Sequence, residues 1–394
     1  MTRTTNSQSQ PAGSRPPLLT RPLLLRFVSI IGASTSFYLL LSVVPLYAET
    51  SGGGGNAAGM ATGALMLATV VGELATPRFV ARFGYRLVLA TGLVLLGAPA
   101  LVLTASENLV WIVMVCLVRG TGFALTVVAG GALTASLIPS ERRGEGLALV
   151  GIVSGVPSLV ALPLGVWLVA HVGYAPVCIA GGVAALAAIV SVPGLPDREP
   201  ASERSIGVLT GFRTGALLRP VVAFAATALA AGIIVTFLPL AVPSASTGLV
   251  AMALFVQSAA STASRWVAGR YGDRHGPAGL VLPGLAVSAA GTLLTALTHS
   301  PFAVVVGVAL FGIGFGVTQN ATLTLMYSRV PPCGYGTVSA LWNFAYDAGM
   351  GVGALGFGLL AGGVGYSLAF TLTAALMLTA LAPAWRDRPI RSQL

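Results

Sequence analysis

The chain of 394 residues is 55% hydrophobic and only 8% charged, and its mean hydropathy is +0.89. A soluble domain carries about 25% charged residues, so this chain has too little charge to cover a water-facing surface, and a large soluble α/β enzyme is excluded. The net charge of +10 comes from arginines that stand singly between apolar runs, which indicates membrane topology rather than nucleic-acid binding.

Apolar runs that are long enough to cross a bilayer follow one another from residue 23 to residue 384. A span needs roughly 20 apolar residues, and it must be helical because lipid offers no water to satisfy an open backbone. The first run is too long for the core of a signal peptide, about 7–15 residues, and is interpreted as a retained span. The sequence therefore predicts an all-α polytopic membrane protein with twelve transmembrane helices, at about 23–47, 59–80, 87–105, 109–135, 146–170, 175–194, 220–242, 249–268, 279–298, 302–327, 337–361 and 367–384.

The arginines predict the orientation of these spans. With the N-terminus inside, 20 of the 21 basic residues fall in inside segments or at the inside ends of the spans, and the remaining one, Arg119, lies deep within span 4. Because basic loops stay on the cytoplasmic side, both termini are expected to be cytoplasmic, in a multi-pass protein of the cell (inner) membrane. Residues 1–20, rich in Ser, Thr, Gln and Pro, are expected to form a disordered cytoplasmic tail.

The two halves of the chain repeat each other with a shift of 192 residues, so that Gly122-Phe123 falls on Gly314-Phe315. This register predicts two parallel six-helix bundles, residues 21–194 and 220–394, joined by a cytoplasmic linker, residues 195–219. Parallel repeats of this kind are typical of transporters in which one half rocks against the other around a central site.

Short charged turns stand at corresponding places of the two halves. Residues 269–276, GRYGDRHG, separate spans 8 and 9, and residues 77–84, PRFVARFG, separate spans 2 and 3. The former resembles the Gly-x-x-x-Asp-Arg-x-Gly signature of major facilitator superfamily transporters, and the latter resembles its first-half partner with Ala81 at the Asp position. The resemblance extends over nearly the whole chain after residue 20 and suggests a 12-span transporter of the drug or metabolite efflux type.

The resemblance implies that these turns latch the two halves together on the cytoplasmic side in the outward-open state. Glycine permits a tight turn, and the arginines can pair with carboxylates or with lipid phosphates. The alternative is that the arginines only set the topology. The expected latch residues are Gly269, Arg270, Asp273, Arg274, Gly276, Arg78, Arg82 and Gly84.

Three charged residues inside predicted spans are candidates for coupling transport to protons, because a charge at mid-bilayer costs about 2.5–3.5 kcal/mol and marks a functional site by default. Arg119 in span 4 is expected to hold an anionic substrate group or to tune a nearby carboxyl group; the alternative is a structural cation bonded to backbone carbonyls. Asp347 in span 11 is expected to be a protonation site, or a hydrogen-bonded clasp between spans 11 and 2. Glu73 in span 2 either titrates with Asp347 as a coupled pair or pairs with Arg270 or Arg274.

Polar and aromatic side chains of the spans are candidates for binding substrate. Asn343 and Asp347 share a helix face at i,i+4, and the adjacent amides of Gln319 and Asn320 are costly to bury without partners. The expected substrate-binding residues are Tyr38, Arg119, Gln257, Gln319, Asn320, Trp342, Asn343 and Tyr346.

Residues typical of catalysis or metal binding do not accompany these spans. The three cysteines form no CxxC motif, and the three histidines lie in separate loops away from other ligand types. A phosphate-binding loop requires lysine, and all 21 basic residues are arginine. The sequence therefore predicts no enzyme activity, no metal site and no cofactor.

These features together predict a proton-coupled secondary active antiporter that exports a small amphipathic organic compound, a drug or a secondary metabolite, by alternating access. One arginine and one or two acids in the spans suit a weakly charged substrate, whereas a second cavity arginine or more hydrogen-bonding groups would indicate an importer. The alternatives are an importer or uniporter of a small polar solute such as a sugar or organic acid, and a non-transporting receptor or scaffold. The expected partners are the substrate, protons and the lipid bilayer, with no nucleic acid and a monomeric chain.

Overall fold

The computed structural model describes residues 17–139, 143–197, 215–242, 247–330 and 335–385. Within these ranges the chain is helical and contains no strand. Most of the predicted tail, residues 1–20, and of the predicted linker, residues 195–219, lies outside the described residues, as does the side chain of Asp273.

Six long helices form the first half. Helix α1 spans Arg21–Leu41 and is extended by a short helix, Val43–Ala48. A longer helix, Gly54–Leu101, breaks at Gly84, where φ is 79° and ψ is 169°. We number its two arms, residues 54–83 and 85–101, α2 and α3; they are followed by α4 (Leu109–Leu137), α5 (Arg143–Val172) and α6 (Tyr174–Ala187).

The second half has the same order of helices, and a long helix occupies most of each of the twelve predicted spans. The predicted fold class, an all-α polytopic membrane protein, is therefore confirmed. The helices are α7 (Gly215–Ala241), α8 (Thr247–His275), α9 (Ala278–Thr295), α10 (Pro301–Ser328), α11 (Tyr335–Val364) and α12 (Tyr366–Thr379).

Ten stretches of the described chain are long and apolar enough to cross a membrane. One of them, Gly54–Ala105, has 52 residues and holds two predicted spans, because α2 and α3 run on from each other at Gly84. Helix α8 is not among the ten, since Gln, Ser, Thr and Arg side chains recur along it between residues 257 and 265. This departure from apolar composition indicates that one face of α8 meets something other than lipid.

The sequence repeat recurs in the packing of the backbone. A Cβ atom added to Gly122 in α4 would lie 2.4 Å from the backbone nitrogen of Leu96 in α3, and one added to Gly314 in α10 would lie 2.3 Å from that of Ser288 in α9. Both members of the second contact stand 192 residues after those of the first. The same helix crossing is thus built twice, at positions related by the 192-residue shift.

The two halves meet tightly at the face where α2 begins and α11 ends. A Cβ atom on Gly59 would lie 2.5 Å from the carbonyl oxygen of Ala354, and one on Gly358 would lie 2.8 Å from that of Gly55. We call this contact, formed by residues 55–66 of α2 and 351–358 of α11, the seam. Only small residues permit two membrane helices to approach in this way.

The halves separate toward the other face, which we call the terminal face because α1 begins there and α12 ends there. Near the seam one hydrophobic cluster includes residues of both halves, such as Met66 and Ala354. A cluster around Leu89 belongs to the first half alone, and one around Val281 belongs to the second half alone. The space between the halves therefore widens from the seam to the terminal face.

Candidate functional site

A cavity of about 510 Å³ lies between the two halves, a volume typical of small-molecule sites. Helices of both halves line it, with α1, α4 and α5 on one side and α8, α10 and α11 on the other. At its terminal end, Cβ atoms on Gly151 and Gly155 of α5 would meet nothing within 4 Å. We call this open end, lined by those two glycines together with Thr262 and Arg265 of α8, the mouth.

Glu73 of α2 and Asp347 of α11 meet on the cavity wall at the inner end of the seam. Their carboxyl groups are within hydrogen-bonding reach of each other, and Asp347 is only 4% exposed. A hydrogen bond between two carboxyl groups requires a proton on one of them, whereas two ionised carboxylates this close would repel each other. The pair that the sequence suggested is thus brought together across the two halves, and Glu73 faces Asp347 rather than Arg270 or Arg274.

Glycine positions this pair. Gly351 lies one turn beyond Asp347 in α11, and a Cβ atom there would lie 2.8 Å from the Cβ of Met66 in α2. A larger residue would push the two helices apart. The hydrogen bond between the carboxyl groups therefore depends on a closed seam.

Aromatic side chains form an apolar wall on the second-half side of the cavity. Trp342, Tyr346 and Phe315 line the cavity, and the rings of Tyr346 and Phe315 lie 6.3 Å apart. Phe224 is buried behind them and stacks on Trp342 at a centroid distance of 4.5 Å. Tyr38 lines the cavity from the first half. Flat, rigid surfaces of this kind bind the apolar body of an organic molecule.

Arg119 lies away from the cavity wall, which corrects the expectation that it contacts substrate. It is 1% exposed, its Nε donates to the carbonyl oxygen of Leu96 at 3.3 Å, and a terminal nitrogen donates to that of Ser36 at 3.2 Å. This geometry matches the structural alternative, a cation bonded to backbone carbonyls. Arg119 holds α1, α3 and α4 together.

Two arginines that the sequence analysis assigned to topology line the cavity instead. Arg26 of α1 is 5% exposed, and its Nε donates to the carbonyl oxygen of Gly130 at 3.1 Å and to Thr134 Oγ1 at 3.2 Å. Its terminal nitrogens donate to Ser29 Oγ and to the carbonyl oxygen of Thr126. Arg26 is therefore fixed against α4 within its own half.

Arg265 of α8 differs from Arg26 because it is exposed to the cavity. Tyr38 of α1 and Tyr346 of α11 line the same cavity. Gln257, Ser261 and Arg265 follow each other at i, i+4 and i+8 on α8 and all line the cavity. That polar helical stripe is the sequence signal that could have revealed Arg265.

Three polar atoms in the cavity wall lack a hydrogen-bond partner. They are Oε1 of Gln257, Oε1 of Gln319 and Nε1 of Trp342. A buried polar group without a partner costs about 1–3 kcal/mol, so a bound molecule that reached these two acceptors or this donor would relieve that cost. All three residues are among those expected to bind substrate.

The two amides of α10 face different surroundings. Gln319 lines the cavity, as does Asn343 of α11. Asn320 instead lies against α8, where a Cβ atom on Gly269 would be 3.5 Å from its Nδ2. The expectation that Asn320 binds substrate is therefore corrected, since its side chain packs between helices of the second half.

The turns at the terminal face contact their own halves. The guanidinium of Arg82 lies 5.2 Å from the ring centre of Phe83, and that of Arg270 lies 4.8 Å from that of Trp266. The residue after Gly84, Tyr85, donates its backbone N–H to the carbonyl oxygen of Asp197 at 3.0 Å. These contacts do not bridge the two halves while the mouth is open. The latch therefore stays a prediction for the outward-open state.

Those turns place the remaining latch residues at the same face. Gly276 has a φ of 82°, in the left-handed region that favours glycine, as does Gly84. Arg78 and Arg274 are exposed there, and Gly269 is half-buried. Among the described residues, no group of three or more His, Cys, Asp or Glu side chains is arranged to hold a metal ion.

Comparison with known proteins gives this cavity a family context. The Major Facilitator Superfamily model matches residues 26–354. The uncharacterized MFS-type transporter YhhS of Escherichia coli K12 is 26% identical over 390 residues, 95% of each chain. A probable sugar efflux transporter of Helicobacter acinonychis is 24% identical over 255 residues, 62% of this chain and 65% of that protein.

A solved structure shares the fold. A bacterial homologue of the human lysosomal transporter Spinster, in an inward-facing and occupied conformation, superposes with a TM-score of 0.79 at 13% identity. The superposition covers 96% of this chain and 100% of that one. Because the family model matches most of the chain and its relatives are transporters, the chain belongs to the Major Facilitator Superfamily and is a transporter rather than an enzyme.

Proposed function

We propose that this transporter is a proton-coupled secondary active transporter that moves a small organic molecule through the cavity by alternating access. The observation that carries the proposal is the pair formed by Glu73 and Asp347. It joins the two halves at the inner end of the seam, within the cavity wall. A proton held there affects both the site and the contact that keeps one face closed.

The coupling follows from the charge of the pair. With one shared proton, the two carboxyl groups attract each other and hold α2 against α11. Without it, two negative charges about 4 Å apart repel by about 4 kcal/mol at an effective dielectric constant of 20. Moving a two-state equilibrium from 1:99 to 99:1 takes about 5.5 kcal/mol. Loss of the proton is therefore large enough to drive much of the opening of the seam.

Export from the cytoplasm is the proposed direction. The arginine pattern favours cytoplasmic termini in the inner membrane, so that the mouth opens to the cytoplasm and collects the compound there. A relative is named a probable sugar efflux transporter, which also favours export. The aromatic wall suits an amphipathic substrate, and one chain supplies every wall of the cavity, so we propose that the transporter is a monomer.

A second candidate is the uptake of a small polar solute such as a sugar or an organic acid. Arg26 and Arg265 both line the cavity, together with hydroxyl groups of α5 and α8. A second cavity arginine and additional hydrogen-bonding groups are the features expected of such an importer. In this mode the solute and the proton would move in the same direction.

Everted membrane vesicles with an acidified interior distinguish the two modes. In one arm, a panel of cationic dyes, macrolides, phenicols, tetracyclines, sugars and aryl acids is added to the bath. In the other arm, the same compounds are loaded inside. Exchange raises the interior pH when compound is in the bath, and cotransport raises it when compound is inside.

The matched variants are Asp347→Asn and Glu107→Gln. Both replace an acid by its amide, but Glu107 lies exposed between α3 and α4, outside the cavity. We expect the proton signal to disappear in Asp347→Asn and to persist in Glu107→Gln, with equal amounts of both proteins in the membrane. Proton-coupled flux that survives in Asp347→Asn would refute the assignment of the pair.

A further inference from the structure

The charged groups of the cavity favour a substrate of one sign. Arg26 and Arg265 contribute two positive charges, whereas the pair of Glu73 and Asp347 contributes one negative charge while it shares a proton. The net charge of the described lining residues is then positive. Full ionisation of the pair would only bring it to neutrality, so an organic cation meets no net attraction in either state.

Among the three arginines that the structure describes in or beside the cavity, Arg265 is the one that remains available to a ligand. Arg119 and Arg26 donate to carbonyl and hydroxyl oxygens of the first half and are at most 5% exposed. Arg265 instead is exposed to the cavity, which Tyr38 and Tyr346 also line. A guanidinium can donate two parallel hydrogen bonds to one carboxylate, and a hydroxyl group on either side can donate a further one.

The unpartnered atoms of the wall describe the rest of the ligand. Gln257 and Gln319 are 6% and 8% exposed, and each has an Oε1 atom that accepts no hydrogen bond. Gln257 lies two helical turns before Arg265 on the same face of α8. A molecule whose acidic group reaches Arg265 can therefore extend along α8 and donate to these amides.

We infer that the substrate is an organic acid whose carboxylate is bound by Arg265 between Tyr38 and Tyr346. Its apolar body lies against the aromatic wall, and a hydroxyl or amino group donates to Gln257 or Gln319. The inference rests on the proposed transport through the same cavity, and it names the class of molecule carried.

Binding of an acid also bears on the coupling mode. A negative charge at Arg265 favours the protonated form of the pair formed by Glu73 and Asp347, so the acid and the proton occupy the cavity together. The charged and titratable groups around this position are Tyr38 and Arg26 of α1, Glu73, Arg265, Tyr346 and Asp347. For an acid, cotransport with the proton, which is the second candidate mode, is therefore expected rather than export, and the pH signal should appear in the vesicle arm with compound loaded inside.

The test is the binding of three molecules that differ in one group. 4-Hydroxyphenylacetate, 4-hydroxyphenylacetamide and tyramine share a ring and a hydroxyl donor, but they carry a carboxylate, a carboxamide and an ammonium group. Binding to the purified full chain is measured by calorimetry and by the rise in unfolding temperature. We expect the acid to bind at least about tenfold more tightly than the other two, because hydrogen bonds between two charged groups are stronger than those to a neutral group.

Variants assign this preference to Arg265. Arg265→Gln should weaken binding of the acid about tenfold or more and leave binding of the amide unchanged. Arg265→Lys should retain part of the preference for the acid, since lysine keeps the charge but lacks the planar guanidinium group. Arg21→Gln, at the exposed start of α1, is the matched control and should bind as the parent does. Tyr38→Phe gives a second, milder variant if Arg265→Gln unfolds.

Several outcomes would overturn the inference. The first is that tyramine or the amide binds as tightly as the acid. The second is that Arg265→Gln binds the acid as the parent does, and the third is that the acid does not bind at all. The measurement needs no proton gradient, so it fails independently of the proposed coupling. If the acid binds but its flux does not depend on protons, only the proposed proton coupling is refuted. If tyramine binds more tightly than the acid and flux is coupled to protons, only the assignment of an organic acid as substrate is refuted.

Discussion

The seam and the mouth are two ends of one cavity, and both are rich in small residues for opposite reasons. At the seam, Gly59 and Gly351 bring α2 and α11 into contact, so that any side chain there would collide with the facing helix. At the mouth, Gly151 and Gly155 face open space. The seam is packed like a protein interior, whereas the mouth is an opening lined with Thr262 and Arg265.

This difference indicates that the conformational switch lies at the seam. Packed contacts have discrete arrangements and do not deform continuously, so the seam is either closed or open. The shared proton of Glu73 and Asp347 sits where the packed end meets the open end. A change in the charge of this pair therefore acts directly on the packed contact between α2 and α11.

The largest effect is expected from adding bulk to the seam. Gly59→Leu places a side chain where a Cβ atom would already lie 2.5 Å from the carbonyl oxygen of Ala354. Overpacking costs about 1–3 kcal/mol, so the closed-seam population should fall about five- to a hundredfold. The measurement is labelling of a reporter, Thr62→Cys, by a membrane-impermeant maleimide added at the seam face.

Gly151→Leu is the matched control, because the same side chain enters open space at the mouth. It should leave labelling of the seam reporter unchanged. Equal labelling of the reporter in the two variants would show that the seam is not the closed contact described here.

A smaller effect, on the unfolding temperature, is expected to distinguish Arg119, which is packed among helices, from Arg265, which is exposed to the cavity. Arg119→Gln removes charged hydrogen bonds to the carbonyl oxygens of Leu96 and Ser36, each worth about 1.5–3 kcal/mol. It should lower the unfolding temperature of the purified protein. Arg265→Gln is expected to leave that temperature within about 1 °C of the parent, because surface changes cost at most about 0.5 kcal/mol. A larger loss of stability in Arg265→Gln than in Arg119→Gln would reverse these assignments.

The fold was predictable because hydropathy and the repeat act on whole segments. Every span of about 20 apolar residues became a helix, and the helix boundaries moved by only a few residues, as at α7, which begins at Gly215 rather than at residue 220. Glu73 and Asp347 were also accessible to sequence reasoning, since an acid inside a span is rare and costly.

The rest of the site depends on which way each helix faces. Gln319 and Asn320 are adjacent, yet neighbouring residues of a helix point about 100° apart, and only Gln319 lines the cavity. Helix α4 is apolar on every side, so its sequence does not show that Arg119 points into its own bundle. Arg26 and Arg265 were missed because counting arginines for topology treats every basic residue near a helix end alike.

The smallest effect concerns one hydrogen bond that joins the two halves beside the seam. Thr62 Oγ1 of α2 lies 3.0 Å from Thr236 Oγ1 of α7, and a neutral hydrogen bond contributes about 0.5–1.5 kcal/mol. Thr62→Val and Thr236→Val should each speed amide hydrogen exchange in residues 54–66, and the double variant should add little to either. Thr227→Val is the control, because that hydroxyl donates to the carbonyl oxygen of Phe224 within its own helix. Effects of Thr62→Val and Thr236→Val that simply add would mean that the two hydroxyl groups act separately and do not hold the seam.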